Sequence, residues 1–410
     1  MDRIILHSDL NNFYASVECF EGPAFAGLPV AVTGNPDKRH GIVLAKNNLA
    51  KAHGVKTGEP LFMAKKKCSN IVFVKSDFEK YSKFSNLAKE IYSEYSDKIE
   101  SFGPDECWID ITKKGKDINY GKEIAETIRK RIKEELGITV SIGVSFNKIF
   151  SKLGSDYKKP DAVTVISRDN YKKIIWPLPV EDLLFVGRST LSKLKTRGCS
   201  TIGDLAKMGK DTLVKLLGKN GLTILSFANG EENSPVMSLE EEHPIKSIGN
   251  STTAFRDLVS DDDIKIIFMN LAESVASRLR NAGAKCTVVQ ISLRNTGLFS
   301  FERQGIIKPT DVSVEIFEKA FSLYKENSNG ESLRSVGIKA AGLCFEDNYQ
   351  QTLLESSHEK LETLENSIDN IRKRFGYFSV CKALLLSDTM LSDFNPISDH
   401  AIHPEPFRTE

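Results

Sequence analysis

The chain has no CxxC pair, no long apolar run and almost no net charge, and each absence removes a class of function. Its seven cysteines (Cys19, Cys68, Cys107, Cys199, Cys286, Cys344 and Cys381) are scattered and odd in number. Such spacing argues against a disulfide framework or a zinc site and fits a reducing cytoplasm. No apolar stretch approaches the roughly 20 residues that span a bilayer, so no membrane association is expected. The opening MDRIILHSDLNNFY reads as a strand interrupted by His7 and Asp9, unlike a secretory signal. A net charge of +1 does not describe a globally basic nucleic-acid binder.

The charge that is present is uneven. Residues 36–75 carry nine Lys/Arg against Asp37 and Glu59, and residues 346–410 carry six basic against twelve acidic residues. A basic region beside an acidic tail permits one polyanion-binding surface on a neutral whole, although a lysine-rich solvated face fits the same numbers. At 410 residues the chain is too long for one core, and three or four domains are expected.

Patterning supplies the organisation. Residues 3–8 read as a buried strand, after which Asn11 or Asn12 can cap a helix, FYASVECF. LPVAVTG, GIVLAK and IVFV read as strands, with a short helix LAKAHG after Asn47 and Asn48. Helical spacing runs through FEKYSKFSNLAKEIYSEYSDKI and YGKEIAETIRKRIKEELG. IESFGPDECWIDI reads as two strands joined by a Gly-Pro-Asp turn, TVSIGVS as a strand, and FNKIFSKLGSDYKK as a helix stopped before Pro160. After about residue 166 the chain becomes helical with Gly-marked turns. Residues 243–346 then read strand, helix, strand, strand, helix, strand. A charged helix over 359–375 and a tail close the chain. The fold class implied is α+β.

Three carboxylates carry the chemistry. Asp9 ends the first strand, and Asp105 and Glu106 lie at the hairpin turn, so two sheet elements can gather them at one sheet edge. Their mutual repulsion is costly unless cations neutralise it. Mg²⁺ suits such oxygen donors, and two ions can clamp the attacking and leaving oxygens of a phosphoryl displacement. The same residues also fit a strand-end cap and a solvated turn.

The segments SDLNNFYASVE, FGPDECWID and SIGVSFNKIFSKLGSDYKKP resemble the three signature blocks of the Y-family translesion DNA polymerases, nearest the DinB-like, polymerase IV branch. The resemblance runs over nearly the whole chain. It implies a right-hand polymerase, with palm and fingers in 1–166 (fingers about 20–76) and a helix-hairpin-helix thumb in 167–235. It further implies an α+β little finger in 236–346, then a clamp-binding segment, helix and tail in 347–410. The activity implied is template-directed, low-fidelity DNA synthesis with two Mg²⁺ ions, primer-template DNA and deoxynucleoside triphosphates, by a chain expected to act as a monomer. A non-catalytic scaffold of the same fold, a nucleotidyl cyclase and a polymerase V catalytic-subunit-like branch are the alternatives.

Carried over by position, Asp9, Asp105 and Glu106 resemble the metal carboxylates, and Leu10 the residue lending a backbone carbonyl. Phe13 and Tyr14 match the aromatic pair whose second ring is the sugar gate, and Lys159 matches a triphosphate-binding lysine. Asn48 and Lys51 stand where the family carries Tyr-x-x-Arg, and lysine lacks the fork of arginine. Gly103-Pro104 precede the acidic pair in place of Ser-x. In the thumb, Gly187 is kept and Phe185 occupies the other glycine position, while residues 170–229 hold ten basic residues against four acidic ones. Lys246, Ser247 and Gly249 resemble a strand that tracks template phosphates. Gln350, Leu353 and Leu354 match positions of the peptide by which these enzymes dock on a sliding clamp, although the two leucines also suit the start of the final helix.

Overall fold

The computed structural model describes residues 2–34, 41–238, 245–345, 356–392 and 395, which fall into two compact units divided near residue 243. The first unit is built on a five-stranded sheet of β1 (Ile5–Leu10), β5 (Ile99–Ser101), β6 (Glu106–Asp110), β7 (Val140–Ser145) and β8 (Val163–Ile166), in the order β5-β6-β1-β7-β8. Strand β1 is central and antiparallel to both β6 and β7, while β7 and β8 run parallel. Both faces of β1 are covered, which explains its unbroken burial and its lack of hydrophobic alternation. Leu6 and Leu10 face a core shared with α1 (Phe13–Glu21), α4 (Phe78–Ser93) and α5 (Ile118–Leu136). Ile5 and Trp108 face the opposite core, with α6 (Lys148–Tyr157) and the helices that follow it.

A three-stranded sheet, ordered β3-β2-β4, forms a smaller lobe from β2 (Val30–Thr33), β3 (Val43–Lys46) and β4 (Val72–Lys75). Its core includes Ala50 of α2 (Asn48–Ala52) and Ala64 of α3 (Leu61–Lys67). Asn47 caps α2, its side chain accepting from the Ala50 amide at 3.0 Å. The expected cap of α1 differs: Asn12 stands at the cap position in the left-handed region (φ 48°) and makes no side-chain capping bond. It donates instead to Asn48 Oδ1 at 3.0 Å, tying α1 to α2.

Helix α6 approaches β7 unusually closely. A Cβ on Gly143 would lie 1.8 Å from the Ser151 carbonyl oxygen, so only glycine permits the contact that brings α6 to the sheet edge. Beyond β8 come α7 (Tyr171–Ile174), α8 (Arg188–Lys195), α9 (Ile202–Ala206), α10 (Lys210–Leu217) and α11 (Lys219–Ala228). The chain leaving α11 is pinned back to the first sheet. Buried Lys148 donates to both oxygens of Glu100 at 2.7 Å, Glu100 accepts from the Met237 amide, and Arg3 donates to the Glu232 and Ser234 carbonyls.

The second unit orders β9 (Ser247–Leu258), α12 (Asp261–Asn281), β10 (Ala284–Asn295), β11 (Ser300–Thr310), α13 (Ser313–Asn327) and β12 (Leu333–Phe345). This is the pattern expected from sequence. The four strands pair antiparallel as β11-β10-β12-β9, with α12 contributing more of the core than any other element. The unit does not end at residue 346. Helix α14 (Ser356–Phe375) and the turns leading to α15 (Thr389–Ser392) fasten onto it, and Leu385 and Leu391 enter its core. The part of the chain read as a helix followed by a tail is, over 356–392, structural. Polar bonds fix it: Arg372 reaches Glu273 and the Val380 carbonyl, Tyr377 reaches Asn270, and Arg280 bonds Asp369.

Candidate active site

The carboxylates come together because of strand register. Asp9 lies directly across from Glu106 in the β1–β6 pair, and the Leu10 amide donates to the Asp105 carbonyl at 3.0 Å. Asp9 shares a strand face with Ile5 and His7, the face toward α6, so α6 and the loop after it supply the cations. Lys159 Nζ lies 2.5 Å from Asp9 Oδ2 and 2.8 Å from Asp156, and Lys152 Nζ lies 2.5 Å from Glu106 Oε2. The loop carrying Lys159 is held by Asp161, which pairs with Arg129 and Lys133 and whose amide donates to Asn11.

The electrostatics match a site short of positive charge. Burial pushes the Asp9 carboxyl up to about 7; Lys159 works against this and Glu106 adds to it. Burial and the neighbouring Asp9 push Asp105 up to about 6. Burial also works against the charge on Lys159, but Asp9 and Asp156 outweigh it and hold its pKa above the ordinary lysine value. His7, buried beneath them, is kept neutral by burial and by Lys152 and Lys159; its Nδ1 meets Ser155 Oγ at 2.9 Å.

Asp9, Asp105, Glu106 and Lys159 face an open cleft of about 480 Å³ lined also by Leu10, Phe13, Tyr14, Lys46, Thr57 and the Phe102–Pro104 turn. Tyr14 is half-buried at the cleft wall, and its ring stacks on Tyr81 with centroids 4.2 Å apart and planes 15° apart. Tyr81 is itself fixed, its hydroxyl donating to Glu18 at 2.7 Å. Phe13 is buried behind this pair. Gly103, with φ 151°, makes the turn before Asp105, and the hairpin pairs as expected despite its Gly-Pro sequence.

Other expected residues fall outside the cleft wall. Asn48 is exposed and bonded to Asn12, and Lys51 is exposed. Gly187 caps α8 with extended backbone and open space where a Cβ would stand. Phe185 takes a positive φ of 70°, the conformation glycine favours, and leans on Phe227. Lys246 and Ser247 are exposed at the start of β9, an edge strand, and Gly249 is half-buried beneath Lys339. Gln350, Leu353 and Leu354 lie outside the described residues. Sequence reasoning missed Lys46, Thr57, Lys152 and Tyr81. Lys152 was legible in principle, one helical turn from Lys148 and Asp156 on the helix facing the acidic strand ends.

Oxygen-only donors, two of which (Asp9 and Asp105) have raised pKa values, suit hard divalent cations. Among the described residues, no three acidic, histidine or cysteine side chains already surround a metal-sized point. Lys152 and Lys159 hold two of the three carboxylates in this arrangement.

Two matches to the impB/mucB/samB family, its main model over residues 8–156 and its C-terminal domain over 245–353, together take in more than half of the chain. The DNA polymerase IV of Acetivibrio thermocellus is 49% identical over 397 residues, covering 96% of this chain and 100% of that protein. DNA polymerase IV 1 of Bacillus subtilis is 34% identical and covers 96% of both. The chain belongs to the DinB-like branch of the Y-family DNA polymerases. In fold it resembles a Y-family polymerase chimera of Dbh and Dpo4, with a TM-score of 0.74 and 24% identity over 83% of this chain and 99% of that one. Family membership makes the chain a low-fidelity, translesion DNA-directed DNA polymerase, and the non-catalytic scaffold is not favoured. Y-family polymerases use divalent metal ions. Among the described residues no helix is long and apolar enough to cross a membrane.

Proposed function

We propose that the cleft adds deoxynucleotides to a primer 3′ end, with Asp9, Asp105 and Glu106 holding two Mg²⁺ ions and the Leu10 carbonyl assisting. The observation that carries this reading is the convergence of three carboxylates on one cleft with two of them paired to lysines. Bound Mg²⁺ supplies charge neutralisation at the phosphates and a more acidic primer hydroxyl. The residues themselves orient and select. Lys159 exchanges its bond to Asp9 for a triphosphate oxygen, and the Tyr14 ring, backed by Tyr81, blocks a sugar 2′-hydroxyl. The primer 3′-hydroxyl releases its proton to solvent as its oxygen bonds to the α-phosphorus and the bond to the leaving pyrophosphate breaks. Gly187 of the thumb and the Lys246–Gly249 edge of the little finger grip the DNA backbone without reading sequence. Gln350, Leu353 and Leu354 dock on the sliding clamp.

Primer extension on undamaged and abasic templates tests the reading. The protein should extend both with Mg²⁺ and neither without it, and Asp105→Asn should remove extension while DNA binding remains. Near wild-type extension by Asp105→Asn would overturn the site assignment.

A further inference from the structure

The fingers of this chain lack the arginine expected against the triphosphate, and the lysine in its place, Lys51, does not reach the cleft wall. Another lysine does. Lys46 ends β3, lines the same cleft as Lys159, and donates from Nζ to Thr57 Oγ1 at 3.0 Å. Thr57 is in turn held against β3 by the main chain around it: the Gly58 amide donates to Val43 O at 2.8 Å and the Val43 amide to Glu59 O at 3.0 Å. Among the described residues no carboxylate lies within ion-pair distance of Lys46.

A half-buried ammonium bonded only to a hydroxyl has given up water without gaining a counter-ion. Burial and the nearby charge of Lys51 both weaken its proton affinity, and Glu59 offsets them in part. Such a group is stabilised by an incoming anion, and the polyanion this cleft receives is a nucleotide triphosphate. We propose that Lys46, positioned by Thr57, is the fingers' phosphate-binding cation in this chain, taking the part that Lys51 does not. The inference rests on the polymerase reading of the same cleft. Because phosphate is common to all four nucleotides, the contact lowers the KM of each alike.

Single-nucleotide incorporation by the full chain on a saturating primer-template tests it. Lys46→Ala should raise KM for all four nucleotides by ~10- to 100-fold, the range expected for one charge-assisted bond, with a smaller change in kcat. Lys46→Arg should restore most of the loss, and inorganic triphosphate should inhibit Lys46→Ala less than the wild type. Lys51→Ala should raise KM less than Lys46→Ala. An unchanged KM, a loss confined to one base, or a larger loss from Lys51→Ala would overturn the proposal. Failure of the wild-type chain to polymerise would instead sink the underlying reading.

Discussion

Two regions of this molecule bury clusters of charge, and they resolve the cost in opposite ways. At the edge of the five-stranded sheet, three carboxylates gather with Lys152 and Lys159 beside an open cleft, and Asp9 and Asp105 are pushed toward protonation. Under α14 the charges are enclosed and paired with cations, although burial still raises the Glu273 pKa. Arg372 lies over the Tyr377 ring at 4.4 Å while bonding Glu273 and the Val380 carbonyl, and Glu365 accepts from Lys382 and Ser313. The first cluster is held short of positive charge, which leaves room for cations and phosphate. The second is closed and fixes one arrangement of the C-terminal segment.

The comparison breaks most visibly in the signs of two substitutions. Asp105→Asn should lower the extension rate by several orders of magnitude yet leave the metal-free chain as stable or more stable at pH 8. A folded-state pKa raised to about 6 means the ionised form is disfavoured by folding, so stability present below pH 4 is lost as pH rises through 6. Removing that charge returns on the order of 1 kcal/mol. Arg372→Ala should do the reverse, costing about 3 kcal/mol in the second unit because buried Glu273 loses its counter-ion and keeps only the Tyr377 hydroxyl. Denaturant unfolding of both variants, with primer extension at saturating DNA, reads both effects. Two losses of equal sign and size would mean that the clusters do not differ as argued.

What the sequence revealed follows the same division. The hairpin, the helices α4 to α6 and the β9–β12 pattern were legible because turn residues and a single buried face leave a periodic signal. The carboxylates were legible because they sit at strand ends. Helix α3 was not, since Phe62 and Met63 lie exposed on it and no side chain caps it. The fastening segment after Gly376 was missed because short 3₁₀ turns carry no period, and its partners, Asn270 and Glu273, lie about a hundred residues away. Lys46 was hidden for a related reason. Strand alternation gives the side a residue leaves from, not where a long side chain ends.

A smaller effect concerns the ring behind Tyr14, the residue proposed to exclude a sugar 2′-hydroxyl. Tyr14 keeps its place by stacking on Tyr81, which is oriented by the Glu18 carboxylate. Tyr81→Leu should therefore weaken discrimination against ribonucleotides by about tenfold, with Tyr14→Ala losing more. The size follows from losing an aromatic pair worth about 1 kcal/mol. Ribonucleotide incorporation kinetics identical to wild type in Tyr81→Leu would show that Tyr14 is held by Phe78 and Phe13 alone.

The smallest expected effect lies at the far end of the closed cluster, where α14 begins. His358 Nδ1 meets Glu315 of α13 at 2.9 Å, and Glu362 lies at 3.0 Å from the other ring nitrogen. Burial opposes the imidazolium, but the bond and charge of Glu315 and the charge of Glu362 outweigh it, so the folded pKa stands above the ordinary histidine value. A raised pKa places the stabilisation at low pH. It is fully present below about 6.5 and is lost as pH rises through the folded value. For a partly solvated pair the gain is ~0.5 kcal/mol. Hydrogen exchange of α14, corrected for intrinsic rates, should therefore show more protection at pH 6 than at pH 8.5. His358→Gln should flatten that difference while leaving protection of α12 unchanged. If the pH dependence survives in His358→Gln, another group governs the docking of α14.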